Sequence, residues 1–198
     1  MTKYLNSYIV NAVKIGNLNS VKRFLKLHAN DDGAINAEEK EKFHIGFFCD
    51  SYTTGWNGDL LPHLAIRHGR MGILAALIAN EDVGINFPNR RGVTPLSLAV
   101  HLRNLRAINL LLASPEVEVD AVDSAGFTAL TLAAAIGVPL DILKSLLDHG
   151  ADKNHITDHK TAAQMAISFG HREIAEFIHS YQPSVPSKQQ ANAPRPTL

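Results

Sequence analysis

Apolar residues along most of this chain recur at spacings of one, three and four positions, the pattern of α-helices that bury one face. The pattern comes in pairs of helices separated by a short break, and a polar stretch rich in Asn, Asp and Gly follows each pair. The apolar sets of the second helices are Val21/Phe24/Leu25, Ile73/Leu74/Leu77/Ile78, Ile108/Leu111/Leu112, Ile142/Leu143/Leu146/Leu147 and Ile174/Phe177/Ile178. The sequence therefore predicts repeated helix–turn–helix units.

A short motif repeats at a nearly fixed interval. The segments 92–99 (GVTPLSLA) and 126–133 (GFTALTLA) lie 34 residues apart, and weaker copies occupy 58–65 and 160–166. Each copy ends on a small alanine, and glycine follows four residues later except in one unit, where Arg103 stands. Glycine can end a helix at little steric cost, because it has no Cβ and adopts positive φ readily. We therefore expect the turn at Arg103 to have a different backbone conformation. One unit cannot bury its apolar face alone, and stacked units can, which predicts an all-α helical solenoid.

The repeat resembles the ankyrin repeat. Thr94-Pro95-Leu96 with Ala99 matches the start of the first helix of that family, and 147–152 (LDHGAD) matches the end of its second helix. The resemblance covers roughly residues 5–181 and implies a solenoid with short hairpin loops that binds other proteins.

The chain departs from the family pattern at several positions, and these departures help to define the units. The histidine of the first helix is present only as His63, with Ser97, Thr131 and Gln164 in its place elsewhere, and the fifth loop is one residue shorter near Lys160. We expect the first and last units to act as end caps. The predicted organisation is an ankyrin repeat domain over 1–181, with units at about 5–30, 58–91, 92–125, 126–158 and 159–181, an insertion at about 31–57, and a disordered Pro-rich tail or linker over 182–198.

The insertion and the histidines contain the residues that could form a catalytic or metal site. Residues 28–39 resemble a degenerate calcium-binding loop, but His28 occupies the first ligand position, where oxygen is needed, and Asn-Asp-Asp-Gly is ordinary turn chemistry. The aromatic residues around Trp56 either pack on the solenoid or anchor a partner. Cys49 lacks the flanking motifs of a nucleophile, and His155 with His159 falls in a predicted loop. We therefore predict no catalytic residue, no metal site and no cofactor.

Composition limits the class of protein further. Hydrophobic residues make up 45% of the 198, and 19 Lys and Arg balance 19 Asp and Glu, which gives no bulk attraction to nucleic acid or an anionic membrane. The single cysteine excludes an intramolecular disulfide, and no apolar run is long enough to cross a membrane or to serve as a secretory signal. We expect a monomer in the cytoplasm, or in the cytoplasm of a host cell if the protein is a secreted effector.

The resemblance places the binding surface on the loop tips and on the exposed ends of the first helices. We expect a basic half in the early units and an apolar half in the later ones, where Phe127 and Ile136 should be exposed, so that the partner carries acidic and apolar segments. The predicted partner-binding residues are Arg67, His68, Arg90, Arg91, Val93, His101, Leu102, Asp123, Phe127, Ala135, Ile136 and Phe169.

The predicted function is non-catalytic protein recognition by a scaffold, adaptor or targeting module. The alternative is the recognition domain of a larger protein, either a secreted bacterial effector or a regulatory enzyme that acts on host proteins.

Overall fold

A computed structural model describes residues 2–29, 58–80 and 83–182, and these residues form five pairs of helices without a strand. The first helices of the pairs are α1 (Thr2–Ile15), α3 (Leu61–Arg67), α5 (Pro95–His101), α7 (Ala129–Ile136) and α9 (Ala162–Ser168). The second helices are α2 (Leu18–Ala29), α4 (Met71–Ile78), α6 (Leu105–Leu112), α8 (Leu140–Asp148) and α10 (Arg172–Ser180).

The pairs stack in register as two layers. Each first helix contacts the first helix of the next pair, and each second helix contacts the next second helix. The alanine column of the sequence lies where the layers are most crowded: Ala65, Ala99, Ala133 and Ala166 are fully buried. A larger side chain there would push neighbouring helices apart. The fold is an all-α solenoid.

Threonine residues start three of the first helices. The side-chain oxygens of Thr94, Thr128 and Thr161 each accept a hydrogen bond from the backbone N–H three residues later, which satisfies a donor that the helix leaves unpaired. Pro95 occupies the first turn of α5, where its missing N–H costs nothing. In the second unit Leu60 stands at this position, and the N–H of Leu60 donates to Nδ1 of His63 at 3.3 Å.

The turn at Arg103 has the same backbone conformation as its glycine counterparts, which contradicts the expectation from the sequence. Arg103 has a φ of 54°, beside 65° at Gly69 and 67° at Gly137. The backbone N–H of Asn104 bonds to the carbonyl of Ala99, as that of Arg70 bonds to Ala65. Packing of the adjacent units fixes this turn, so the arginine is held in a left-handed conformation that costs about 1 kcal/mol or more.

The fifth hairpin loop is closed by two residues instead of three. Asp158 and His159 both have positive φ, at 49° and 60°, and Thr157 and Lys160 exchange both backbone hydrogen bonds. Two consecutive left-handed residues make the tightest hairpin turn, which accommodates the shorter fifth unit.

Several predicted features lie outside the described residues. These are Cys49 and the rest of the insertion over 31–57, the calcium-loop-like segment beyond Ala29, and the tail from residue 183 onward.

Candidate interaction surface

Two hairpin loops are shaped by an acidic or amide side chain that accepts backbone hydrogen bonds. Oδ1 of Asn89 accepts from the N–H groups of Arg91 and Val93, at 2.9 and 3.1 Å. Oδ1 of Asp123 accepts from those of Ala125 and Phe127, at 2.9 and 2.8 Å. These bonds present the loop tips in the same orientation in both units. The predicted binding residue Asp123 therefore has a structural role as well.

Hydrogen bonds join successive loops into a row. Ser124 Oγ donates to the Arg91 carbonyl at 2.7 Å, and the Ser124 N–H donates to the Gly92 carbonyl at 3.2 Å. Thr157 Oγ1 donates to the Gly126 carbonyl at 2.8 Å. A Cβ at Gly92 would lie 2.3 Å from the side chain of Ser124, so this close approach requires glycine. The loops thus form a fixed edge.

A buried carboxylate ties the start of the second unit to the loop that leads into the third. Asp59 is almost fully buried; its Oδ2 accepts from Arg67 Nε at 2.8 Å and its Oδ1 from Asn89 Nδ2 at 2.8 Å. Arg67, one of the predicted partner-binding cations, is therefore already paired, and its charge is offset by Asp59. Sequence reasoning missed this network, because Asp59 and Asn89 are not equivalent positions of the repeat and no motif relates them.

His63 is fully buried beside this network. Its Nε2 lies 2.8 Å from the Val93 carbonyl, and its Nδ1 accepts from the backbone of Leu60, which fixes a neutral ring with the proton on Nε2. Burial lowers the pKa of His63, since removal from water disfavours the charged form. This histidine holds the third loop to the second unit.

A column of equivalent residues crosses all five units at the ends of the first helices. Each member directly precedes the left-handed turn residue of its unit. The column, called here the ladder, consists of Ile15, His68, Leu102, Ile136 and Phe169. The exposed fractions are 62% at Ile15, 42% at Leu102 and 59% at Phe169. Large apolar side chains thus face solvent at both ends and in the middle of the ladder.

Three side chains from neighbouring units cover the turns behind the ladder. Arg70 donates from Nε and Nη2 to the Lys14 carbonyl, at 3.1 and 3.0 Å, and Arg103 donates from Nη2 to the Ile136 carbonyl at 3.0 Å. The ring of His171 lies against Gly137, where an added Cβ would be 2.4 Å from Cε1. Two guanidinium groups are therefore held close to the ladder.

The predicted partner-binding residues divide into exposed and partly buried sets. The exposed ones, apart from the paired Arg67, are His68, Arg90, Arg91, His101, Leu102 and Phe169. The partly buried ones are Val93, Asp123, Phe127, Ala135 and Ile136.

The expectation that Phe127 and Ile136 are exposed is wrong. Both are half-buried, and Ile136 packs against the core. Ile15 was missed as an apolar contact residue, although its place in the alanine–glycine register identifies it as equivalent to Leu102 and Phe169. Exposed apolar residues therefore occur in the first, third and fifth units and are not confined to the later ones.

The family model of ankyrin repeats (3 copies) matches residues 9–123 and 104–189. The chain belongs to the ankyrin-repeat family. A similar curated protein is an ankyrin repeat and KH domain-containing protein of Caenorhabditis briggsae, 28% identical over 136 residues, which are 69% of this chain and 5% of the relative. The chain thus spans about one twentieth of the length of that relative.

Two other kinds of site are absent from the part of this ankyrin protein that the structure describes. Its described helices include none with the length and apolar content needed to cross a bilayer. No three His, Cys, Asp or Glu side chains among the described residues come together in a way that could hold a metal ion; His159, part of the histidine pair noted above, is exposed in the fifth loop.

Proposed function

We propose that this ankyrin protein is a non-catalytic recognition module that binds a partner protein along the ladder and the loop edge, which lie at the two ends of the first helices. Ankyrin repeats generally mediate protein–protein interaction. The observation that carries the proposal is the exposure of Ile15, Leu102 and Phe169 at equivalent positions of a hydrogen-bonded scaffold, since aligned exposed apolar residues are typical of an interface. The role is that of a scaffold, adaptor or targeting subunit, monomeric and cytoplasmic.

The scaffold suits recognition without a large ordering cost. The loops are bonded to each other through Ser124 and Thr157, and the turns through Arg70 and Arg103. A surface that is already ordered loses little conformational entropy when a partner docks. The concave side expected for this family, formed by the loops and first helices, is the face on which we place the partner.

A matched pair of substitutions tests the proposal. Phe169 and Ile167 are equally exposed, at 59% each. The residues equivalent to Ile167 in the two preceding units, Val100 and Ala134, are buried. Ile167 is therefore exposed because it belongs to the last of the described units. The immobilised full chain should capture partners from native lysate, and Phe169→Asp or Leu102→Asp should abolish capture of the same proteins that Ile167→Asp retains. Equal capture by all three variants would overturn the proposal.

The loop cations provide a second test. Arg90 and Arg91 are exposed at the tip of the third loop. Reversal of both charges should slow association with a captured partner and weaken the salt dependence of the rate, since rim charges act mainly on association. An unchanged association rate would remove the loop cations from the binding surface.

A second candidate function is the recognition domain of a larger protein, such as a secreted effector or a regulatory enzyme. The small share of the Caenorhabditis relative that this chain spans favours it. A native reading frame that continues beyond these 198 residues into another domain, on either side, would support this function, and a frame confined to them would exclude it.

A further inference from the structure

The spacing of the ladder limits the backbone conformation of a partner that lies along it. First helices of successive units contact each other, and packed helices are about 8–10 Å apart. Successive members of the ladder, called rungs, are therefore separated by about 8–10 Å, and a partner that touches every rung must repeat its contacting side chains at this interval on one face.

A β-strand does not meet this requirement. Three residues of a strand cover about 10 Å, but they put consecutive anchors on opposite faces, and two or four residues cover about 6.6 or 13 Å. An α-helix repeats the same face after seven residues, about 10.5 Å, and a polyproline helix does so after three, about 9.3 Å. The ladder thus fits one of two helical conformations.

The chemistry of the rungs favours the α-helix. Polyproline segments bind in grooves lined with aromatic side chains, whereas amphipathic helices bind to rows of apolar anchors. Three of the five rungs, Ile15, Leu102 and Ile136, are aliphatic; His68 is polar, and Phe169 is the one large apolar aromatic rung. An α-helical partner therefore matches the ladder better.

The charges beside the ladder determine the second feature of the partner. The guanidinium groups of Arg70 and Arg103 are held at the turns by carbonyl oxygens of neighbouring units. These backbone carbonyls are neutral acceptors, so they do not offset the positive charges of the two guanidinium groups. From two residues before to four residues after each turn residue, the chain also has Lys14, Arg106 and Arg172, besides Arg67, which Asp59 pairs; the acidic residues there are Asp141 and Glu173. Although the chain has no net charge, this edge is basic, and it complements an acidic partner.

We propose that the ladder binds an acidic amphipathic α-helix of the partner, with one apolar residue per heptad against each successive member of the ladder from Ile15 to Phe169 and carboxylates beside Arg70 and Arg103. This inference rests on the proposed function and specifies the partner that the ladder selects. The helix lies along the stack, crosses all five units and needs about four heptads to do so.

A designed peptide provides the probe. It carries Leu at every seventh position and Glu beside each Leu over about four heptads, and binding to the full chain is measured by fluorescence anisotropy and circular dichroism. The peptide should bind and gain helicity, and Leu102→Asp or Phe169→Asp should weaken binding about tenfold or more. Ile167→Asp should leave binding unchanged, as the control at the end of the stack. Loss of binding with Ile167→Asp to the same extent would overturn the proposal.

Three further binding measurements test the charge of the ladder edge and the conformation of the peptide. Arg103→Gln keeps a side-chain donor for the Ile136 carbonyl and removes the charge, so it should weaken binding and lower its salt dependence. A peptide with Gln in place of Glu should bind more weakly, and a proline-rich peptide with Leu at every third position should bind weakly or not at all. Equal binding of the Gln peptide, or tighter binding of the proline-rich one, would overturn the proposal.

The outcome is distinguishable from failure of the proposed function. Lysate partners that depend on Leu102 and Phe169, together with no binding of the acidic helix, would overturn the helix inference and leave protein recognition supported. Lysate capture that ignores the ladder variants would overturn the proposed function itself, and the helix inference with it.

Discussion

Nε2 of His63 donates a hydrogen bond to the carbonyl oxygen of Val93 at 2.8 Å, so a side chain of the second unit holds the loop of the third. The same ring accepts from the Leu60 N–H. The bond to Leu60 is buried and the bond to Val93 is partly buried, so both protein groups are shielded from solvent. The contact links the helix cap of one unit to the loop geometry of the next.

Replacement of His63 by Ser should destabilise the protein, although serine occupies the equivalent position in the next unit as Ser97. The substitution leaves the Val93 carbonyl and the Leu60 N–H without the ring, and such losses cost about 1–3 kcal/mol each. Urea unfolding at neutral pH measures the change. His101→Ser, at an exposed position, is the control and should change the free energy of unfolding little. A His63 variant as stable as the His101 control would contradict the prediction.

The free energy of unfolding should also depend on pH through His63. Burial holds its pKa below the ordinary value of about 6.5, so the unfolded chain takes up a proton at a higher pH than the folded one. The His63 contribution is complete above about pH 6.5 and is lost as the pH falls from there to the folded pKa. The difference in stability between the wild type and His63→Ser should therefore shrink on acidification. A stability difference between the wild type and His63→Ser that stays constant from pH 7.5 to 5 would contradict this prediction.

Asn89→Asp should convert the Asp59–Asn89 hydrogen bond into a repulsive carboxylate pair. The new oxygen replaces the Nδ2 donor that lies 2.8 Å from Asp59 Oδ1, while Oδ1 can still accept from the loop backbone as Asp123 does. Two close carboxylates share a proton, which raises one folded pKa. Stability should thus be lowest at neutral pH and recover on acidification toward pH 4. Asp123→Asn, the reciprocal exchange in the next loop, is the control and should show little pH effect.

The left-handed turns allow a test of backbone strain. Gly69 has a φ of 65°, and an added Cβ there would meet nothing within 4 Å, so Gly69→Ala should cost about 1 kcal/mol from conformation alone. Arg103→Ala removes the hydrogen bond to Ile136 and keeps the strain, whereas Arg103→Gly removes both. Thermal or urea unfolding should find the Gly variant about 1 kcal/mol more stable than the Ala variant. Equal stability of these two variants would show that the turn at 103 is not strained.

The sequence predicts the helix pairs and the stack because each is encoded by local periodicity. The 34-residue motif fixes which residues are equivalent, and this register already places Leu102 and Phe169 in one column. Contacts between units are not encoded in this way. The bond from Arg103 to Ile136, the half-burial of Ile136 and the pairing of Arg67 with Asp59 depend on which side chain reaches across a particular interface. Such contacts require coordinates, since no repeat of residue types indicates them.

Tyr181 should anchor the last helix to the preceding unit. Its hydroxyl donates to Asp148, which also accepts from Lys144, and its ring contacts Phe177 at a centroid distance of 5.8 Å. Burial, reinforced by the hydrogen bond and charge of Asp148, raises the pKa of Tyr181 to about 12. The stability that Tyr181 contributes is complete below about pH 10 and is lost as the pH rises from there to about 12.

Tyr181→Phe removes the hydroxyl and keeps the ring, so it should lower the stability by about 0.5–1.5 kcal/mol and increase hydrogen exchange in α10 before the other helices. An ultraviolet titration of the wild type should show one of its four tyrosines ionising near pH 12, and this step should be absent from the variant. Tyr8→Phe is the control, because the Tyr8 hydroxyl bonds to Ser20 at an exposed site in the first unit; it should leave the step near pH 12 and the exchange of α10 unchanged. A wild-type titration without that step would show that Asp148 does not hold the last unit through Tyr181.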